Sequence, residues 1–251
     1  YRATADHSIY CRGVSKGLFA SKYLEDSIYK WSIDSKLIAS DPLTKQYPYR
    51  YSDIGYYFMM KIVEKQSKMN IDEFLKKALY EPLGLAHLGY LPLKKFNKSN
   101  IAPTEKDEYF RNTTLQGTVH DQGAAMLGGI AGHAGLFSNS IDIAKILQMD
   151  LNKGNYAGDI FFKPETIKEF SSIQFDNNRR GLGWDKADME GLGSTSEYSS
   201  PRSIGHSGYT GTTVWVDPEY DLIYIFLANR VHPDASNKTL IKTDVRTRIH
   251  D

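Results

Sequence analysis

Apolar positions recur at helical spacing in the middle of the chain. The clearest stripe follows Ser52-Asp53 and predicts a helix that runs to about Ser67. A second helix follows the capping-box pattern of Asn70 and Glu73, and Pro82-Leu83-Gly84 ends it. Both helices are amphipathic, so each should pack one face against a core.

The chain then alternates between irregular and helical stretches. A polar, turn-rich passage extends from about Leu91 to Thr118. Ser140 is predicted to cap a helix that Gly154 ends. Another helix is predicted from Pro164 to about Phe170, because proline suits the first helical position.

The period changes towards that of strands after Arg180. Strand patterns cover 181–184 and a hairpin from about Gly208 to Leu227, and Asn237 begins a closing amphipathic helix. Helices therefore come first, strands next and one helix last. That segregation favours an α+β fold, with an antiparallel sheet flanked by helices.

The same pattern suggests how the chain is organised. Residues 1–50 are poorly readable, 51–180 form a mostly helical region, and 181–251 hold the sheet strands and the C-terminal helix. We expect one domain overall, since 251 residues can bury a sizeable core.

Charge and composition exclude several classes of partner. Lys and Arg number 31 against 30 Asp and Glu, so no excess charge points to nucleic acid or an anionic membrane. No apolar run approaches the length of a membrane span. Cys11 is the one cysteine, so no internal disulfide can form.

Metal and cofactor sites are not indicated either. The seven histidines show no His-x-x-x-His or Glu-paired spacing, so we predict no metal. His120 and His133 are interpreted as structural, with Asp121 able to orient one of them. Gly128-Gly129 lacks the Lys-Ser/Thr of a phosphate loop, and no cofactor is predicted.

The chemically most informative stretch is Gly205-His206-Ser207-Gly208, which precedes a β-branched and aromatic run. We expect this polar triplet to open a strand, where backbone N–H groups can serve as oxyanion donors. Gly208 would allow a backbone or ligand to approach closely. A hairpin start with a chance histidine is the simpler interpretation of these residues alone.

Three motifs along the chain favour an active site over that simpler interpretation. They are Tyr51-Ser52-Asp53 at a helix start, a glycine-rich run over 119–137, and His206-Ser207-Gly208. Together they resemble serine β-lactamases and penicillin-binding proteins, most closely the class C β-lactamase and esterase branch. The glycine-rich run resembles the β-lactamase-like domains fused to family 3 glycoside hydrolases in Bacteroidetes-type bacteria. The likeness covers about residues 50–250.

The resemblance implies a role for each motif residue. Tyr51 would share or relay the proton of a serine nucleophile, and His206 would replace the strand-motif lysine as a proton donor or positive group. Ser207 matches a hydroxyl that holds a substrate carboxylate, with Gly208 beside it. The backbone N–H of Tyr209 would form one arm of an oxyanion hole.

Two departures from the family pattern stand out. Asp53 replaces the usual Asn of the substrate-binding motif, and a carboxylate cannot donate to a substrate carbonyl. The Ser-x-x-Lys nucleophile motif has one match before Tyr51, at Ser27 to Lys30, but its flanks are charged and aromatic. We predict that this match is fortuitous and that the chain is the C-terminal portion of a domain.

The missing N-terminal part of the same polypeptide would then supply the nucleophile and cover an open edge of the sheet. The intact parent would be an acyl-enzyme serine hydrolase acting on peptidoglycan peptides, β-lactams or esters, in an extracytoplasmic compartment. The alternative is a non-catalytic module that binds wall fragments or a neighbouring domain. Arg179-Arg180 is interpreted as a solvated pair or as a contact to an anionic substrate.

Overall fold

A computed structural model describes residues 8–15, 17–188 and 195–251 of the chain. The chain divides into two compact units, each described here by itself. The first unit comprises Tyr1–Ala78 and Gly89–Phe137, and the second comprises Leu79–Leu88 and Ser138–Asp251. Our expectation of one domain overall stays a prediction.

Helices occur in both units. The α-helices of the described residues are α1 (Leu24–Ile33), α2 (Ile54–Ser67), α3 (Ile71–Leu75), α4 (Gln122–Met126), α5 (Ser140–Leu151), α6 (Pro164–Ser171), α7 (Thr239–Lys242) and α8 (Val245–His250). A π-helical turn spans Lys76–Tyr80, and 3-10 turns span Pro92–Lys94 and Lys98–Asn100. None of the helices in the described ranges combines the length and hydropathy that crossing a bilayer requires.

The strand pairs of the described residues are all antiparallel. The described strands are β1 (Arg12–Ser15), β2 (Leu18–Ala20), β3 (Pro103–Asp107), β4 (Thr113–Gln116), β5 (Asn155–Tyr156), β6 (Asp159–Ile160), β7 (Asp185–Lys186), β8 (Ile204–Ser207), β9 (Thr213–Asp217) and β10 (Leu222–Phe226). The largest sheet has the order β10-β9-β8-β7, and three two-stranded hairpins accompany it. The predicted α+β fold is confirmed.

The first unit buries its core between α1, α2 and the glycine-rich segment. Ile28, Met60, Val119 and Ala124 belong to this buried cluster. A Cβ on Gly132 would overlap the carbonyl oxygen of Tyr56, so a glycine is required where this segment crosses α2.

Several sequence predictions for the first unit need correction. Asn70 stands at the start of α3, but its side chain makes no capping hydrogen bond. That helix is short and continues as the π-helical turn before Pro82. The passage from Leu91 to Thr118 contains the β3–β4 hairpin, because alternation over four or five polar residues is hard to recognise in sequence.

The second unit packs α5 on one face of the large sheet. Leu147 of α5 contacts Ile204 and Val216 in a buried cluster, as the alternation along a strand requires. Trp215 points to the opposite face and is 2% exposed. On that face, the Tyr224 hydroxyl donates to the Arg246 carbonyl of α8.

Three predicted boundaries in the second unit are wrong. The strand expected at 181–184 lies at Asp185–Lys186, and α5 is capped by Asn139, whose Oδ1 accepts from the Asp142 N–H at 2.9 Å. The closing helix is interrupted at Asp244, where φ is 54°. No local sequence signal marks that left-handed residue.

Candidate active site

Tyr51-Ser52-Asp53 forms the entry to α2 in the first unit. The Tyr51 side chain is 60% exposed. Ser52 Oγ accepts from the Ile54 N–H at 3.3 Å, and the Asp53 carbonyl accepts from the Tyr56 N–H at 3.0 Å. These contacts begin α2 at the predicted place and leave the phenol of Tyr51 accessible.

Asp53 lies beside two residues of the glycine-rich segment. One side-chain ligand atom of each of Asp53, Asp121 and His133 falls within 4.8 Å of the others. Asp121 Oδ1 lies 2.7 Å from His133 Nε2 and accepts from the Ala124 N–H at 2.7 Å, which caps α4. Of the two histidines that Asp121 was expected to be able to orient, it therefore contacts His133.

The electrostatics of this cluster follow from its burial and charge. Burial raises the pKa of Asp121, but the hydrogen bonds from His133 and the Ala124 N–H outweigh it and leave that pKa below its usual value. Burial, with the charges of Asp121 and Asp53, raises the pKa of Tyr57. Tyr57 therefore remains a neutral phenol, and it packs edge-on against His133 with ring centroids 4.9 Å apart.

The three side chains are the kinds that hold a metal ion, but their geometry fits hydrogen bonding better. A metal on His133 Nε2 would displace the Asp121 contact and place the ring proton on Nδ1. That nitrogen is buried and has no hydrogen-bond partner among the described residues. Metal-ligating histidines pass their other N–H to an acceptor, which is lacking here.

His206-Ser207-Gly208 lies at the end of a strand in the second unit. His206 and Ser207 are the last residues of β8 and pair with Val214 and Thr213. Gly208 begins the turn to β9, and its N–H donates to the Thr212 carbonyl at 2.8 Å. The triplet therefore ends β8. The prediction that it opens a strand is wrong.

Gly208 is closely packed against a side chain of its own turn. A Cβ there would overlap the Thr212 hydroxyl. The Tyr209 ring that follows is 62% exposed, and the Arg230 guanidinium lies 4.8 Å above its centroid. The predicted oxyanion role of the Tyr209 N–H stays a prediction.

The His206 ring has a polar partner at each nitrogen. Nδ1 lies 2.9 Å from the Ser207 carbonyl oxygen, and Nε2 lies 3.2 Å from Nη1 of Arg180. Arg179 forms ion pairs to both carboxylate oxygens of Asp185, at 2.9 and 3.0 Å. Both arginines therefore contact protein groups, but the Arg179 side chain is 42% exposed, so the interpretation as a solvated group fits Arg179 and not the 24% exposed Arg180.

Sequence reasoning missed the contact between Arg180 and His206. The two residues are 26 positions apart, with Arg180 in the loop after α6 and His206 in β8. No motif joins them, so only the three-dimensional arrangement reveals the pair.

Comparison with known proteins identifies the family of this chain. The family model described as Beta-lactamase matches residues 19–246. The chain belongs to the β-lactamase family.

Curated relatives of this β-lactamase-family chain include proteins named "Putative D-alanyl-D-alanine carboxypeptidase" from Escherichia coli K12 and Salmonella agona. Each is 36% identical over 200 residues, which is 74% of this chain and 46% of the relative. The chain thus spans about half the length of these relatives.

Solved structures show the same fold at low identity. A β-lactamase from Mycobacterium bovis is 17% identical with a TM-score of 0.53, covering 88% of this chain and 84% of that one. Simvastatin synthase from Aspergillus terreus is 14% identical with a TM-score of 0.58, covering 91% and 61%.

The Ser-x-x-Lys match, which we predicted to be fortuitous, lies on α1 in this β-lactamase-family chain. Ser27 Oγ donates to the Tyr23 carbonyl at 2.9 Å. Lys30 Nζ pairs with Asp34 at 2.9 Å, and its side chain is 74% exposed. Neither group contacts the other in this arrangement, which favours a structural interpretation of both.

The candidate residues fall into two groups. Tyr51 and Asp53 belong to the first unit, and His206, Ser207, Gly208 and Tyr209 belong to the second. Their convergence on one cleft stays a prediction.

Proposed function

We propose that this chain is part of a serine hydrolase that cleaves peptides ending in D-alanyl-D-alanine through an acyl-enzyme. The observation that carries the proposal is the 36% identity over 200 residues to curated proteins named for that carboxypeptidase activity. β-Lactams and simple esters are alternative substrates, because the same nucleophilic attack on a carbonyl carbon cleaves the acyl bond in peptides, β-lactams and esters.

In the proposed reaction a serine oxygen attacks the penultimate carbonyl carbon and forms an ester. The C–N bond breaks, and the terminal D-alanine leaves with a proton on its nitrogen. Water then hydrolyses the ester and regenerates the serine. Tyr51 is the proposed proton relay, and its side chain, which precedes α2, is 60% exposed.

The second motif group is proposed to bind the substrate. Ser207 would contact the substrate carboxylate, and the Tyr209 N–H would donate to the developing oxyanion at the turn that Gly208 begins. His206 would assist Tyr51. Asp53, near Asp121 and His133, would shape the pocket rather than donate to an amide carbonyl.

The nucleophile is proposed to come from an N-terminal part of the same polypeptide that precedes Tyr1. In the described sheet β10 is an outer strand, and such an edge is one place where further strands of that part could pair. We also propose that the chain belongs to the class C β-lactamase and esterase branch, with an extracytoplasmic location and, as a further expectation, a fused family 3 glycoside hydrolase.

The competing function is a non-catalytic module that binds wall fragments or a neighbouring domain. It is favoured if the gene encodes no Ser-x-x-Lys motif upstream of Tyr1. A Ser-x-x-Lys there, between small and apolar residues, favours the enzyme. Reading that upstream sequence separates the two hypotheses.

Covalent labelling tests the enzyme hypothesis directly. We expect a fluorescent penicillin to acylate the polypeptide as its gene encodes it, but not the 251-residue chain. Tyr51→Phe should slow acylation by about 100-fold or more, since it removes a general acid–base group. Release of D-alanine from a D-Ala-D-Ala peptide should fall in parallel.

Two variants serve as controls for that experiment. Tyr49→Phe alters a neighbouring phenol that is 46% exposed and should leave acylation unchanged. Ser27→Ala should also have no effect. Labelling of the 251-residue chain that Ser27→Ala abolishes would refute the assignment of the nucleophile to an upstream segment.

A further inference from the structure

We propose that Arg180 is a positioning residue that holds His206 as a neutral ring with its proton on Nδ1, and that Arg180 itself carries the positive charge of this site. The role in catalysis rests on the proposed function, but the protonation state follows from geometry within the second unit. The family resemblance had implied that His206 is itself the proton donor or positive group.

The hydrogen-bond partners assign the tautomer. A guanidinium has only donors, so His206 Nε2, 3.2 Å from Arg180 Nη1, must accept. A carbonyl oxygen only accepts, so Nδ1, 2.9 Å from the Ser207 oxygen, must donate. The two contacts together are compatible with one neutral tautomer.

A protonated ring would conflict with the same contacts. Nε2–H of His206 would then face an N–H of Arg180, so two donors and two positive charges would meet at 3.2 Å. The guanidinium is always charged at physiological pH, so the ring is the group that stays neutral.

Arg180 is held in place from both ends. Its backbone N–H donates to Asn178 Oδ1 at 2.9 Å, and Nη2 lies 3.4 Å from Asp185 Oδ2. Asp185 is more closely engaged by Arg179, at 2.9 and 3.0 Å. The Arg180 side chain is 24% exposed, so its guanidinium is oriented by the protein and only partly screened by water.

This arrangement changes the chemical role of the strand motif. The single lone pair of His206 Nε2 is occupied by the Arg180 donor, so the ring presents neither a mobile proton nor a second acceptor position at Nε2. In the family the positive charge is on a strand-motif lysine. Here it is on the guanidinium of Arg180, which contacts the strand-motif residue His206 and does not lose its proton.

The test is nitrogen NMR of the His206 ring in the 251-residue chain near neutral pH. We expect the wild-type spectrum to show Nδ1 protonated and Nε2 unprotonated. Arg180→Gln should shift a measurable share of the ring to the other tautomer or to the protonated form, because an amide side chain can also accept. Arg180→Lys, which keeps a donor, should restore most of the wild-type tautomer.

Arg179→Gln is the matched control. It removes a neighbouring guanidinium that pairs with Asp185, so it perturbs the same loop, and it should leave the His206 nitrogen shifts unchanged. An equal shift in both variants would overturn the proposal in favour of general loop loosening. A wild-type ring protonated at Nε2 would overturn it whether or not the variants fold.

The outcome is separable from the proposed function. If the encoded polypeptide fails to acylate while the His206 tautomer is as stated, the hydrolase assignment fails and the pairing with Arg180 stands. If acylation proceeds, Arg180→Gln should change the pH profile of acylation, whereas Arg179→Gln should not. Identical pH profiles for Arg180→Gln and the wild type would refute the positioning role.

Discussion

Replacing Arg111 with Met should lower the free energy of unfolding by about 3–5 kcal/mol, since it leaves a buried carboxylate without its cationic partner. Arg111 and Asp107 are 5% and 4% exposed, and Nε lies 2.8 Å from Oδ2. The guanidinium also donates to the carbonyls of Val119 and His120. One side chain therefore joins the β3–β4 hairpin to the segment that leads into Asp121.

Urea denaturation monitored by circular dichroism measures this effect. Asp107→Asn alone should also destabilise the fold, while the double variant with Arg111→Met should cost less than the sum of the two. Burial raises the pKa of Asp107, but the Phe110 N–H and Arg111 outweigh it and leave it below its usual value. The stability from Asp107 is thus present above its unfolded pKa and is lost as the pH falls through the folded one.

The exposed pair of Lys106 and Glu108 is the control for that variant. This pair lies in the same hairpin and also joins a basic to an acidic side chain, but its two side chains are 62% and 72% exposed. Lys106→Met should leave the urea midpoint unchanged. A loss of stability as large as that of Arg111→Met would mean that burial is not what makes the Arg111 pair important.

The sequence predicted the elements whose signals are local. The stripe behind Ser52-Asp53 predicted α2 to its last residue, because amphipathic spacing and a start signal coincide there. Pro164 likewise marked the first residue of α6. Both predictions depend on interactions within a few turns of one helix.

Features that depend on distant partners could not be predicted. Arg111 lies in a polar passage where a charge suggests solvent, and its burial depends on carbonyls eight and nine residues away. The end of β8 at Ser207 depends on pairing with β9, so a strand start was predicted instead. For the candidate site the motif residues were identifiable, but the contact of Arg180 with His206 was not.

The second large effect concerns a buried carboxyl group with an unpaired oxygen. Asp150, near the end of α5, is 7% exposed, and its Oδ2 has no hydrogen-bond partner among the described residues. Burial raises the pKa of Asp150 to about 6. The folded state therefore binds a proton that the unfolded state has already lost between about pH 4 and pH 6.

The sign of the pH dependence follows from that shift. Because the pKa of Asp150 is raised in the folded state, the contribution of this carboxyl to the free energy of unfolding is fully present below its unfolded pKa. That contribution is lost as the pH rises through about 6. Asp150→Asn removes the charge at nearly constant shape. At neutral pH it should raise the free energy of unfolding by up to about 3 kcal/mol, from two pKa units at about 1.4 kcal/mol each.

Asp217, in the same unit, should respond in the opposite direction because its buried carboxylate is fully hydrogen-bonded. Its oxygens accept from the Ser200 N–H and the Ser200 and Ser203 hydroxyls, each at 2.7 Å, and from the Glu219 N–H at 2.9 Å. Burial raises the pKa of Asp217, but these bonds outweigh it and leave that pKa below its usual value. Asp217→Asn should therefore cost at least about 2 kcal/mol near neutral pH, since an amide cannot accept at both ends.

Urea midpoints across the acid-to-neutral range measure both variants, and a destabilised Asp150→Asn at neutral pH would show that the buried carboxyl has a partner.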